Sequence, residues 1–314
     1  MSSDTPVQLE RMLPTSTDRV GVVTRAAVAV VFAGLAVLMV VAAMTWPLDH
    51  DEHQFIVPAM LLWEGELPYR DHPHLHVPWQ TLIYAAALPL HENPFLVTRL
   101  LNAAAAWATL VLLYGWGRRW LAEEIEADAA RLLAVSFVVL LAFVEVVPYT
   151  VSRSWNHALS GLAMVAGVLL LIEGARRERG LWLLGAGACA GVAAGMRLSW
   201  EPMVVAMGIG LLMVGTTGWA WRRWLWRIGA FGAGFAVAML PVAYLAGQAL
   251  EAFVFGTVEY HRLSHAYHLE QGNWTGWPAR LRALAALPVE RPGVVLHGVL
   301  LAGLVGVGVW GRLW

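Results

Sequence analysis

The sequence contains no lysine: all 21 of its basic residues are arginine, set against 22 acidic ones for a formal charge of -1. That absence fits the codon bias of a GC-rich bacterium and carries no chemistry, and the near-zero net charge says nothing about partners. Cysteine is nearly absent too. The single one, Cys189, sits inside an apolar segment, which excludes an intramolecular disulfide and leaves packing as its role. Charged residues make up only 14% of the 314 positions, against 59% hydrophobic ones, and the mean hydropathy is +0.60. A chain that apolar is not an ordinary soluble domain; it is read as an all-α integral membrane protein with several spans. Low-complexity tracts and internal repeats are also missing, so an inverted-repeat transporter architecture has no support.

What is present is a series of apolar runs punctuated by arginine. Residues 1–25 are polar and lead into the run 26–46, about the ~20 residues that cross the hydrocarbon. The following WPLDHDE lacks a small-residue cleavage pattern, so this run is expected to be a retained anchor. Further spans are expected near 100–117, 132–148, 156–173, 181–196, 203–219, 228–249 and 294–311, giving about eight crossings. Arg118 and Arg119, then Arg176, Arg177 and Arg179, then Arg222, Arg223 and Arg227 lie directly beside these runs, which marks that side as cytoplasmic. With the amino terminus inside, the opposite side receives 47–98, 149–155, 197–202 and 250–293. Arg70, Arg153, Arg197 and Arg262 then fall outside, against the positive-inside bias, and are candidates for binding anions. Gly185, Gly187, Gly191 and Gly195 mark one short span as a close-packing helix. Trp46, Trp116, Trp219 and Trp221 stand at expected span ends, where amphipathic rings favour the headgroup region.

One stretch departs from this pattern. Between Trp46 and His76 the chain gathers Asp49, Asp51, Glu52, Glu64, Glu66 and Asp71 with five histidines. Charge at that density cannot sit in hydrocarbon, where an ionisable group costs ~2.5–3.5 kcal/mol on the lenient scale, so the loop lines water or a wet cavity. The spacing Asp49-x-x-Glu52 is that of a capping box, with Asp51-x-x-Gln54 overlapping it. The segments Phe55 to Gly65 and Pro78 to Leu90 suit helices lying in the interface. His72-x-His74-x-His76 would place alternating imidazoles on one side of an extended strand, with Asp51 and His53 as further ligands of a metal.

Taken in order, Asp51-Glu52, Gly65-Glu66-Leu67-Pro68-Tyr69-Arg70-Asp71, a proline-led apolar helix and Arg99 resemble the integral-membrane glycosyltransferases of the GT-C superfamily. That group includes protein O-mannosyltransferases, aminoarabinose transferases of lipid A and RgtA/B/C/D-like bacterial enzymes. Trp155-Asn156-His157, Gly195-Met196-Arg197-Leu198 and Phe255-Gly256-Thr257-Val258-Glu259-Tyr260 are similar to later segments of the same superfamily, so the likeness runs to about Gly272. It implies transfer of a sugar from a polyprenyl-phosphate carrier to a glycan, lipid or protein acceptor on the non-cytoplasmic side. By the same likeness Asp51 is the general base and Glu52 orients it. Asp71 matches a second acid that holds the acceptor or a divalent cation. Arginine's planar fork suits the departing phosphate, with Arg197 the first choice, Arg153 and Arg262 next, and His157 and His76 as added donors. Asp49 remains a further candidate. The resulting organisation is a cytoplasmic tail, 1–25, and a GT-C-like membrane domain, 26–314, with an outer catalytic loop at 47–98 and a second outer loop at 250–293. Membrane lipids are the expected surroundings and no nucleic-acid partner is expected. The competing class is a transporter or flippase for a lipid-linked or anionic substrate, which would place ionisable groups near the bilayer midplane; Glu145 and Arg197 are the residues that favour it.

Overall fold

The computed structural model describes residues 16–143, 153–213 and 221–272 and a few positions between 278 and 286. The described chain is all-helical; its one β-bridge, Pro68 to His72, belongs to no strand. Helix α1 spans Ser16–Thr45, and the loop at 47–98 supplies α2, His53–Trp63, and α3, Trp79–Ala87. These are followed by α4, Pro94–Leu121, α5, Ala127–Ala142, α6, His157–Arg177, and α7, Gly180–Ala194. Helix α8 covers Glu201–Met213 and α9 Trp221–Gln248; a short α10, Leu250–Val254, runs through a π-helical turn into α11, Tyr260–Glu270. Helices stand at seven of the eight expected spans. The eighth, 294–311, lies outside the described residues, as do the tail to residue 15, Glu145, Trp219, Arg280 and Arg291.

Four of these helices, α1, α4, α6 and α9, are long and apolar enough to cross a membrane. Helix α7 has 15 residues and so extends roughly 22 Å, short of the hydrocarbon thickness. The bundle's outer surface fits a lipid surrounding: α1 exposes Val30, Val37 and Val41, α8 exposes Val205 and Ile209, and α9 exposes Val237 and Leu240. An apolar surface this broad marks a membrane or partner contact. Inside, Phe32, Leu35, Met39, Tyr84, Leu110 and Val138 form one core shared by α1, α3, α4 and α5, and Met164, Leu183, Met207, Leu211 and Phe231 form a second.

The two ends of the bundle differ in charge. Arg176 pairs with Glu123, Arg177 with Glu173, and Arg223 and Arg227 with Glu178, so the arginine clusters meet at one end. The acidic loop, the start of α4 and the start of α6 meet at the other, through Arg99, Glu52 and Ser154.

Helices α7 and α9 make the most extensive helix–helix contact. A Cβ on Gly187 would lie 1.8 Å from the Phe231 carbonyl oxygen, and one on Gly234 would lie 1.9 Å from that of Leu184. Small residues here let the two backbones touch, as the spacing of glycines in α7 implies. Because the obstacle is backbone, no rotamer change relieves it. Gly187→Val is therefore expected to cost ~3 kcal/mol, the upper end for overpacking, and to appear as aggregation on size exclusion in detergent. Gly185→Val, whose Cβ would meet only the Leu170 side chain at 3.4 Å, is the matched control and should elute as wild type.

Candidate active site

The site is built on the turn that follows α1. Asp49 adopts an extended conformation (φ -104°, ψ 138°) and caps a 3-10 turn, His50–Glu52, that feeds α2. Its Oδ1 accepts the Asp51 N–H at 2.9 Å, while Glu52 Oε1 accepts the Asp49 N–H at 3.0 Å, completing a reciprocal capping box. Glu52 has a second and larger commitment. It is fully buried, and its two oxygens also accept from Arg99 Nε at 2.8 Å, Arg99 Nη2 at 2.5 Å and the Ser154 N–H at 2.9 Å. Arg99 directs its other donors to the carbonyls of Ala43, Trp46 and Pro47 at 2.9–3.1 Å. All five guanidinium N–H groups and all four carboxylate lone-pair positions are thus engaged. Burial pushes the Glu52 carboxyl up, but the hydrogen bonds from Arg99, Asp49 and Ser154 outweigh it and hold the acid below its usual range. Glu52 consequently fixes where Asp51 stands, with no lone pair left for a substrate.

Asp51 opens onto a cavity of about 480 Å³ assembled from five separate segments. Asp51 and Gln54 come from the turn, His76 from the loop ahead of α3, and Trp155, Asn156 and His157 from the start of α6. Arg197 and Ser199 come from the α7–α8 connection, and Thr257 and His261 from the π-helical turn and α11. Close contacts at Trp79 and Gly256 help hold these segments together, and Asn156 Nδ2 donates to the Met196 carbonyl at 3.1 Å. Trp79 at the head of α3 takes the Gly195 carbonyl on its N–H at 3.0 Å and donates its indole N–H to Ala238 at 2.8 Å. Gly256 approaches the loop so closely that a Cβ would lie 2.0 Å from the His74 carbonyl oxygen, and the adjoining His261 ring reaches the Leu75 carbonyl at 2.9 Å. A π-helical turn at such a position re-aims side chains toward a site.

The charges in the cavity are few. Arg197 bonds Ser199 Oγ at 2.7 Å, and among the described residues no carboxylate pairs with it; burial lowers its affinity for the proton. Burial pushes the His76 imidazole down to about 4, His261 and Arg197 adding to the effect, and pushes His74 down to about 3. At neutral pH the His74 and His76 rings are therefore neutral, and the described lining of the cavity carries one carboxylate, Asp51, and one guanidinium, Arg197. These histidines also set a pH dependence. Below about 6.5 the unfolded chain binds protons that the folded loop refuses until about 4 at His76 and about 3 at His74. Stability is full above pH 6.5 and falls as the pH drops, by up to ~1.4 kcal/mol per unit for each group. The thermal midpoint should decline from pH 6.5 to 5, where carboxylates are still ionised, and His74→Asn should flatten that decline.

The remaining candidates lie elsewhere. Arg153 pairs with Asp49 at 3.1 Å and stacks over Trp155 at 4.9 Å, behind the cavity wall. Arg262 is exposed on α11 and does not line the cavity. Asp71 closes a tight loop: it accepts the Leu67 N–H at 2.7 Å, pairs with Arg70, and is held at about 2 chiefly by that arginine. It lines a second cavity of about 320 Å³ with Tyr69, His72 and His74. The His72-x-His74-x-His76 segment forms no strand; successive rings stand 6.4–6.5 Å apart and almost perpendicular, and His74 is buried against Thr81. The ligand atoms that do converge, within 4.8 Å, are those of Asp49, His50 and Asp51, and Asp49 is already engaged by Arg153. Gln54, Ser199 and His261 are cavity residues that the sequence did not single out; for His261 the signal was its place directly after the Phe255 to Tyr260 segment.

No family model, no curated protein and no solved structure matches this chain.

Proposed function

We propose that the chain is a membrane glycosyltransferase of GT-C type, with about eight spans, acting at the non-cytoplasmic face of a bacterial inner membrane. Its amino terminus is cytoplasmic, its donor is a polyprenyl-phosphate sugar, and its acceptor is a hydroxyl on a glycan, lipid or protein. The observation that carries this reading is the cavity itself. One carboxylate, Asp51, and one arginine that among the described residues pairs with no carboxylate, Arg197, line the same pocket at one end of an apolar bundle. Its size falls within the ~300–1,000 Å³ usual for small-molecule sites.

In the reaction Asp51 removes the proton of the acceptor hydroxyl as that oxygen bonds the anomeric carbon. The bond from the anomeric carbon to the phosphate oxygen breaks with its electron pair, and the phosphate leaves on the lipid, with its growing charge met by Arg197. A neutral His157 can add an N–H. Glu52 keeps Asp51 in place through the turn. A carrier would need charged groups in mid-membrane, and 26–48, 100–117, 158–172 and 228–250 contain no Asp, Glu, His or Arg.

The test is transfer by purified protein given a polyprenyl-phosphate sugar and a panel of acceptor lipids and glycans, with wild type compared with Asp51→Asn. Transfer by wild type that the variant loses supports the reading; transfer undiminished in the variant removes Asp51 as base, and an inactive wild type removes the enzyme.

A further inference from the structure

Asp51 is not alone on its side of the cavity. Gln54, one turn further on, spans the gap between Asp51 and His76: its Nε2 donates to Asp51 Oδ1 at 2.8 Å, and its Oε1 lies 3.0 Å from His76 Nε2. The direction of this chain is fixed by chemistry. An ionised carboxylate only accepts, so the amide must turn its NH2 to Asp51 and its oxygen to His76. An amide oxygen also only accepts, so the proton of the neutral imidazole sits on Nε2. The ring is held for this by stacking on Phe55, with centroids 4.6 Å apart and planes 18° off parallel, and by His261 at 5.6 Å on the cavity side.

The contacts on Asp51 are one-sided. Gln54 at 2.8 Å and the exposed His50 at 3.2 Å both meet Oδ1. We propose that Gln54 is a positioning residue for sugar transfer: by tethering Oδ1 of Asp51 to the His76 ring, it reserves Oδ2 for the acceptor hydroxyl. The proposal rests on the transferase reading above. The tether survives the chemistry, because a proton arriving on Oδ2 leaves Oδ1 an acceptor for the amide. Gln54 bonds Asp51 and His76, whereas the side-chain bond of Arg197 goes to Ser199, so loss of the tether falls on the chemical step and spares donor binding.

Two variants test this. Gln54→Met keeps the length of the side chain and removes both hydrogen bonds; the position is exposed, so the protein folds, which an unchanged elution profile and thermal midpoint verify. With the polyprenyl-phosphate sugar as donor, kcat is expected to fall about tenfold to a hundredfold, as for a misplaced catalytic group, with the donor KM within about twofold. Gln54→Glu still accepts from His76 but sets a negative charge against Asp51, and should move the acid limb of the kcat–pH profile upward. The other groups facing Asp51 stay the same in that comparison: Asp49 and His50 on its own turn, Arg153 behind Asp49, and His76, His157, Arg197 and His261 around the cavity. A readout independent of turnover is the ¹³Cδ2 signal of His76 in histidine-labelled protein, assigned with His76→Gln. It should report the Nε2–H tautomer in wild type and a tautomer mixture in Gln54→Met. An active wild type matched in kcat by Gln54→Met, or a His76 signal that ignores the substitution, overturns the positioning role alone. A wild type that transfers no sugar overturns the transferase reading and the role together.

Discussion

Arg99→Leu is expected to cost ~3–5 kcal/mol and to dismantle the end of the bundle that carries the cavity, because it leaves the fully buried Glu52 carboxylate without a counter-charge. Three carbonyls at the end of α1, those of Ala43, Trp46 and Pro47, lose their donor in the same step. A buried acceptor left unpaired adds ~1–3 kcal/mol where water cannot reach it. Glu52→Gln is the gentler partner experiment: it keeps the volume, but an NH2 group then faces N–H donors on one side. Removing both charges in Glu52→Leu/Arg99→Leu should restore part of the loss, since two apolar groups strand no charge, although the Ser154 and Asp49 N–H groups stay unpaired. The measurement is the thermal midpoint and the soluble fraction after heating in detergent, for both single variants and the double. A midpoint for Arg99→Leu within a degree of wild type would show that the pair is not buried against solvent and lipid.

The same pair explains what the sequence could and could not reveal. The capping box and the two helices that follow it, α2 and α3, were legible because each is a local pattern, set by spacings of three or four residues. The positions of the long helices were legible from apolar runs between arginine clusters. Glu52 with Arg99 was not, since 47 residues separate them and no periodicity links a loop acid to a helix. One sign was available: an arginine one turn inside an apolar span has to find an acid. Asp71 shows the opposite case. Its neighbour Tyr69 takes φ 69°, a left-handed turn that points the following residues back on themselves, so Asp71 serves the Leu67 N–H and Arg70 instead of the cavity. The superfamily likeness suggested a second active-site acid there, and the backbone places Asp71 at a loop closure beside a second cavity. The grouping of His76, His157, Arg197 and His261 needed the tertiary fold, because the segments that bear them lie far apart in the chain and meet through contacts such as those of Trp79, Asn156 and Gly256.

Asp51→Asn separates catalysis from architecture more cleanly than any change at Glu52. The asparagine has the same shape, and its backbone N–H still binds Asp49; its side-chain oxygen can still accept from Gln54. What it cannot do is take a proton from a hydroxyl, so kcat is expected to fall ~10²–10⁴-fold, the usual worth of a positioned base. On the proposed reading the donor phosphate is met by Arg197, so the donor KM should hold, and the thermal midpoint should hold because the Asp51 side chain takes no part in the buried Glu52 network. Arg197→Gln should give the complementary pattern: the phosphate is charged in the bound donor and gains charge as it leaves, so donor KM rises and kcat falls together. The two variants thus divide the cavity into an acceptor side and a leaving-group side. If Asp51→Asn instead raised donor KM and left kcat alone, the carboxylate would be binding the sugar, and the base would have to be sought among the cavity imidazoles of His76, His157 and His261.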